Sequence, residues 1–457
     1  MPLLPTRLRR RVEQVSLWSM RFGPSVDAHE VGSGPPTASL LAAGDVVLSR
    51  DIEEAIRHRG AATTFAPLKP VLDGCDLRVA NLESPLTRGE VKPGALGGVL
   101  KATPESVEAL AAAGFDAVTV ANNHCMDFGP EGLLECLRVL DGRGIGHCGA
   151  GDSPRTARRP ARLNAKGLRV GMLGYADDYR AAIPLDTAAG PAPARDDLIL
   201  EDVAALRPTV DLVILQLHWG VEFAMYPWLS HRDRARRFVE AGADLILCHH
   251  AHVPMGIEVW KRGLIAYGLG NLVFPASRHL AGGHPWSYRS LVLKVFFGRG
   301  GISHAQIIPV EMRPDFSVAP STGGRRAEML GAITRASRGL RDSAKLARFE
   351  TEQFAREALG WSSTFEAQRG LSASRLAEIA ALLTAPRQRG VIAWLQEQAS
   401  ASAREIGDFL ASLAVDADTP ARIDSQAWQA RHDALRPSVA TFASEFRTSQ
   451  FFSGKLP

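Results

Sequence analysis

Short apolar runs recur along the first two thirds of the chain, and five of them end on a polar cluster. Leu40-Leu41-Ala42-Ala43 leads into Gly44-Asp45, Arg78-Val79-Ala80 into Asn81-Leu82-Glu83, and the run to Val120 into Asn122-Asn123-His124. Leu212 to Leu217 leads into His218-Trp219-Gly220, and Leu245-Ile246-Leu247-Cys248 into His249-His250-Ala251-His252. Strands are predicted near 38–48, 77–82, 116–121, 168–175, 211–217 and 244–248, with helical segments between most of them. That alternation predicts βαβ units in an α/β fold with a parallel or mixed sheet. Ligands bind at the carboxyl ends of parallel strands, so the five clusters are expected to meet in one place.

The punctuation agrees. Thr103-Pro104 opens a helix and Gly114 closes it before the strand that delivers Asn122. His231 to Glu240 forms a charged helix that Gly242 stops before the strand ending at His249. From 256 to 312 the pattern changes: Ile257–Trp260, Leu264–Leu269 and Leu291–Phe297 predict antiparallel strands that extend the sheet or form a second one. Gly32-Ser33-Gly34-Pro35-Pro36 breaks the chain, which predicts a polar leader over 1–36 and a folded domain over 37–315. Residues 316–457 predict a helical C-terminal region, with segments over 325–340, 342–359, 372–383, 389–413 and 426–446. Its aromatic residues Trp361, Trp394, Trp428, Phe451 and Phe452 are expected to pack.

Composition narrows the class. With 457 residues, 46% hydrophobic and 22% charged, the chain has material for a sizeable core. A net charge of +4, from 53 basic against 49 acidic residues, gives no argument for nucleic acid, and the run Arg7 to Arg11 is expected to be a solvated arm. No window reaches the about 18–20 apolar residues of a membrane span, so a soluble, cytoplasmic protein is expected. The five cysteines form no CxxC pair, which predicts neither a zinc ribbon nor a disulfide framework and fits a reducing compartment.

The polar clusters suggest a divalent metal. Asp45 and Glu83 stand on neighbouring strand ends, where two carboxylates can bind one cation or bridge two; a loop-capping role for Asp45 is the alternative. Consecutive amides have little packing value after an apolar strand, so Asn123 is a candidate ligand and His124 a candidate general acid. Asn122 is either part of the site or an Asx turn leading into the helix after Gly129-Pro130. His218, His250 and His252 are candidate ligands; an extended segment would point 250 and 252 one way and His249 the other. Asn81, Glu222 and Asn271 are candidates for orienting ligands or touching substrate, Glu222 by holding His218, with a structural role as the alternative. Carboxylate, amide and imidazole without thiolate favour one or two ions of manganese, iron or zinc. The chain has no P-loop, GxGxxG or GxSxG, so nucleotide cradling and serine hydrolysis lose support.

Taken in order, Gly44-Asp45, Asn81-Leu82-Glu83, Ala121-Asn122-Asn123-His124 with Asp127 and Gly129, His218-Trp219-Gly220-x-Glu222, His249-His250-x-His252 and Tyr267-x-Leu269-Gly270-Asn271 resemble the CapA family over about residues 38–312. These are capsule or poly-γ-glutamate biosynthesis proteins with a calcineurin-like metallophosphoesterase fold, a β-sandwich flanked by helices. The resemblance implies that Asp45, Glu83, Asn123, His218, His250 and His252 hold metal and that His124 protonates a leaving group. It implies a hydrolase or transferase acting on a phosphoester or γ-glutamyl-type amide bond of a small molecule or peptide. The alternative is a metal-binding assembly subunit that supports a partner ligase. Two positions depart from the wider phosphoesterase pattern. Val47 stands where Asp-x-His would supply an imidazole, and Glu83 stands where an aspartate is usual. CapA-type proteins commonly carry an N-terminal membrane anchor, and residues 1–37 contain no continuous apolar core for one.

Overall fold

The computed structural model describes residues 37–90, 99–177, 189–275 and 286–350, with isolated positions at 404, 407, 408 and 411. The leader, the Arg7 to Arg11 run, and the C-terminal segments and aromatic residues beyond 350 lie outside the described residues.

The strands in chain order begin with β1 (Ala38–Val46), β2 (Leu77–Leu82), β3 (Ala117–Thr119), β4 (Gly146–Cys148), β5 (Ala150–Gly151) and β6 (Ala161–Ala165). Next come β7 (Leu168–Ala176), β8 (Gly190–Pro191), β9 (Leu212–His218), β10 (Leu245–His249) and β11 (Ile257–Trp260). The last are β12 (Gly263–Ala266), β13 (Asn271–Val273), β14 (Arg289–Gly298), β15 (Gly301–Met312) and β16 (Val318–Pro320). One sheet runs β16-β15-β14-β1-β2-β3-β4, with β13 also paired to β1; a second runs β11-β12-β10-β9-β7-β6, and β5 pairs with β8 in a short two-stranded sheet. β1 to β4 are mutually parallel, as are β7, β9, β10 and β12. The predicted antiparallel region divides between the two: the β11–β12 hairpin extends the second sheet, and the β14–β15 hairpin pairs with β1 in the first.

Period-two alternation stacks these sheets face to face. Leu40, Ala42, Leu77 and Val79 from the first sheet share one core with Val170, Met172, Leu212, Ile214, Leu245 and Leu247 from the second. The opposite faces are also apolar, because both are covered by helices. Leu41, Ala43 and Ala80 pack with Leu110, Leu133 and Leu137, whereas Val213, Leu215 and Ile246 pack with Ile199, Val203 and Phe238. The result is a β-sandwich flanked by helices. Helix Gly323–Gly339 adds Met329 and Ala332 to the outer core of the second sheet. β16 lies beyond the expected boundary at 315 and pairs with β15.

A bulge in β1 decides where Asp45 points. Ala42 pairs with Val79 and Asp45 with Asn81, so three steps on β1 match two on β2. Without the extra residue, Asp45 would follow Leu41 and Ala43 toward the outer helices; with it, the carboxylate joins the inward-facing line. The bulge demands glycine. A Cβ on Gly44 would lie 1.8 Å from the Gly270 carbonyl oxygen, which accepts the Asp45 N–H at 3.0 Å. Gly270 has φ +78°, a conformation that itself favours glycine. The Gly44-Asp45 and Gly270-Asn271 motifs therefore lock onto each other. Gly44→Ala is expected to destabilise the fold by about 3 kcal/mol, at the upper end of the usual overpacking range. Chemical denaturation measures it, and a midpoint unchanged from wild type would mean that the β1 bulge yields freely.

Candidate metal centre

The inward faces of both sheets turn polar at one edge. Asn81 and Glu83 continue the line of Leu77 and Val79, Gln216 and His218 continue that of Leu212 and Ile214, and His249 follows Leu245 and Leu247. This is the carboxyl end of the parallel strands, and Asp45 meets the cluster through the bulge.

Asp45 and Glu83 are 1% and 0% exposed, and each is held by one oxygen only. Asp45 Oδ1 accepts from Asn81 Nδ2 at 2.9 Å and lies 2.9 Å from His249 Nδ1; Oδ2 has no hydrogen-bond partner among the described residues. Glu83 Oε2 accepts from Asn81 Nδ2 at 3.4 Å, whereas Oε1 has no hydrogen-bond partner among the described residues. Around that bare Oε1, His218 Nε2 and His252 Nε2 each stand 3.8 Å away. These separations are too long for hydrogen bonds but suit ligands sharing an ion, which lie roughly 3–4 Å apart when bonds are about 2.0–2.2 Å. Two groups of donor atoms each fall within 4.8 Å of one another: Asp45, Glu83 and His218, and Glu83, His250 and His252. Glu83 belongs to both.

The surrounding amides fix these donors. Asn271 Nδ2 donates to the Ser287 carbonyl, so its Oδ1 accepts from His252 Nδ1 at 2.8 Å and leaves Nε2 facing Glu83. Asn123 Oδ1 is 2.9 Å from His218 Nε2. Asn122 spends its whole amide on scaffolding. Its Oδ1 accepts the His124 N–H, an Asx turn, and its Nδ2 donates to Asn81 Oδ1 and the Leu82 carbonyl. His124 Nδ1 pairs with Asp127 Oδ2 at 2.8 Å, and the same oxygen accepts the Leu100 N–H.

The electrostatics follow from burial. Desolvation pushes Asp45 up, but the His249 hydrogen bond and the nearby His252 ring, whose Nδ1 stands 3.5 Å from Oδ2, prevail and hold it well below the usual carboxylate range. Desolvation and the nearby Asp45 charge drive Glu83 well above its ordinary value. Burial lowers His218. Burial also pulls His252 down, but the charges of Glu83 and Asp45 outweigh it and raise its pKa to about 10. Two buried carboxylates, each with a bare oxygen, face one another among buried imidazoles, and a divalent cation would offset their repulsion and desolvation. The donor set fits such an ion.

Three expectations change. His249 does not face away: it follows the inward parity of β10 and touches both Asp45 and Gln216. His250 and His252 do reach the cluster, but from left-handed backbone at φ 83° and 57° rather than from an extended segment. Glu222 is exposed and does not orient His218, whose partners are Asn81, Asn123 and His250; its charge still bears on Glu83 and His252. Gln216 was not singled out by the sequence, although a lone amide inside an apolar strand was a visible signal. Val47 packs with Leu100 and Phe274 in an apolar cluster that Phe223 joins, and Phe274 and Phe223 lie against the His252 ring. All five cysteines are buried and unpaired. Among the described residues no helix is long and apolar enough to cross a membrane.

Residues 39–276 match the family model described as bacterial capsule synthesis protein PGA_cap. That stretch holds every candidate ligand and is more than half of the chain, which belongs to this family. Among its relatives, the capsule biosynthesis protein CapA of Bacillus anthracis is 30% identical over 52% of this chain, and the match spans 59% of that protein's length. A probable polyglutamine synthesis accessory protein of Mycobacterium tuberculosis is 26% identical over 62% of this chain and 86% of its own. Among solved structures, a putative 5'-nucleotidase from Staphylococcus aureus is similar at a TM-score of 0.38 and 12% identity, over 65% of this chain and 58% of that one.

Proposed function

We propose that this chain is a divalent-metal-dependent hydrolase or transferase acting on a phosphoester or γ-glutamyl-type amide bond. The observation that carries the reading is the pair of bare, buried carboxylate oxygens, Asp45 Oδ2 and Glu83 Oε1, among His218, His250 and His252. Asp45, Glu83, Asn123 and His218 would hold one ion, and Glu83, His250 and His252 a second. Bound ions would supply Lewis acidity and activate water for in-line attack. His124 lies outside both donor groups, and the Asp127 contact occupies its Nδ1, so Nε2 is the atom that would carry the proton to the leaving group. The Val47 cluster leaves the donor set one imidazole short of the pattern the family resemblance implies and sets an apolar wall beside His252.

A second reading has its own support, since one relative bears the description of a synthesis accessory protein. In it the same centre binds metal but supports a partner ligase. Metal analysis of the purified full chain after supplementation with manganese, iron or zinc tests the shared premise. At least about one ion per chain is expected from the two donor groups, and a metal-free protein under all three conditions would sink both readings. A screen of phosphodiesters and γ-glutamyl peptides then separates them. Metal-dependent turnover by the chain alone supports the enzyme, and turnover only with a ligase present supports the accessory role.

A further inference from the structure

We propose that His249 and Gln216 are positioning residues for Asp45, forming a relay that runs from the second sheet across the interlayer and fixes which carboxylate oxygen faces the centre. The proposal rests on the metal-binding reading above and concerns two residues outside both donor groups. His249 Nδ1 lies 2.9 Å from Asp45 Oδ1, and His249 Nε2 lies 2.9 Å from Gln216 Oε1. With both ring nitrogens engaged, His249 has none to offer as a ligand.

The geometry explains why Asp45 needs this. Its backbone sits on a bulge, and Asn81, on the neighbouring strand of its own sheet, holds the same Oδ1. His249 approaches that oxygen from the opposite sheet. Two donors on one oxygen, arriving from two layers, fix the plane of the carboxylate and leave Oδ2 bare among the histidines. Gln216 is fully buried on an inward face beside Ile214 and Leu247, where an amide is costly unless well bonded. Among the described residues its Nε2 finds only the Met172 thioether, a weak acceptor, so its strong interaction is the one with His249. An inter-sheet staple serving stability alone would have no reason to end on an oxygen whose partner atom is left bare.

The test titrates the full chain with Mn(II) alone by calorimetry, comparing wild type with His249→Ala, His249→Asn, His249→Gln and Asp45→Asn. Asp45→Asn identifies the Asp45–Glu83–His218 phase of the isotherm. His249→Ala should weaken that phase on the order of 10- to 100-fold, the usual effect of removing a ligand's supporting partner, and leave the Glu83–His250–His252 phase within about threefold. His249→Asn, whose amide can replace Nδ1, should recover most of the loss; His249→Gln, whose amide replaces Nε2, should not. In the Asp45→Asn background, His249→Ala should cost nothing further. Equal weakening of both phases, an unchanged Asp45 phase, or rescue by Gln rather than Asn would overturn the proposal. Wild type that takes up no Mn(II) would overturn the metal reading and the relay with it. Wild type that binds beside an unaltered His249→Ala variant overturns the relay alone.

Discussion

Replacing Glu83 with glutamine should abolish metal uptake at both halves of the centre while making the metal-free protein more stable. The two effects have opposite signs because they come from one carboxylate. Glu83 is the residue common to both groups, so its replacement removes a charged ligand from each, with an expected fall in affinity on the order of 100-fold or more. In the metal-free fold the same carboxylate is fully buried, faces the Asp45 charge and has a bare oxygen. A neutral amide of similar size relieves that desolvation and repulsion. Denaturant midpoints with and without metal measure both arms. A variant that keeps wild-type affinity for either ion, or that is less stable than metal-free wild type, would show that Glu83 is not the shared anion.

The pH dependence sharpens this. Glu83 is raised above its unfolded range and His252 to about 10, so the metal-free fold retains protons that the unfolded chain gives up. Unfolding then releases protons, and metal-free stability falls as pH rises from about 4.5, the ordinary range of a glutamate, through the raised values. Asp45 works in the other direction. Its depressed value contributes stability that is present above its ordinary range and lost only as pH falls through the depressed one. Metal uptake must displace the proton held by the Glu83–His252 pair, so affinity strengthens over the same rise in pH. In Glu83→Gln the glutamate part of the alkaline loss should vanish.

Much of this centre was legible in the residues because a strand's parity survives to its end. Leu212 and Ile214 predict the face of His218, as Leu77 and Val79 predict that of Glu83. What failed to read through is where the backbone leaves regular geometry. Counting along β1 places Asp45 among the outward positions, and only the bulge held by the Gly44–Gly270 contact corrects it. Extended geometry beyond β10 would put His249 on the side opposite His250 and His252, whereas left-handed backbone at His250 and His252 brings both rings inward without alternation. The hairpin β14–β15 was visible as apolar runs, but nothing local says that β14 pairs antiparallel to β1, a contact separated by some 250 positions. Gln216 stands out in its strand as a lone amide among apolar residues, but its role is defined only by His249 on the neighbouring strand and Asp45 in the opposing layer.

His124→Ala should reduce turnover on the order of 100- to 10,000-fold while metal content stays at the wild-type level, the pattern of a lost general acid. The separation of these readouts follows from the architecture. His124 is delivered by the same strand end as Asn123, yet its ring is outside both donor groups and its Nδ1 is tied to Asp127, which the Leu100 backbone holds in turn. Asp127→Asn should cost less than His124→Ala, since the imidazole remains but loses the carboxylate that orients it. A purely structural role for His124 would lower turnover of every substrate alike. A proton donor makes a narrower demand: the loss should be large for an alkyl phosphodiester, whose leaving oxygen needs the proton, and small for a nitrophenyl ester, whose leaving group departs as a stable anion. Equal losses on the two esters would remove His124 from proton transfer, and unchanged turnover on both would remove it from the mechanism altogether.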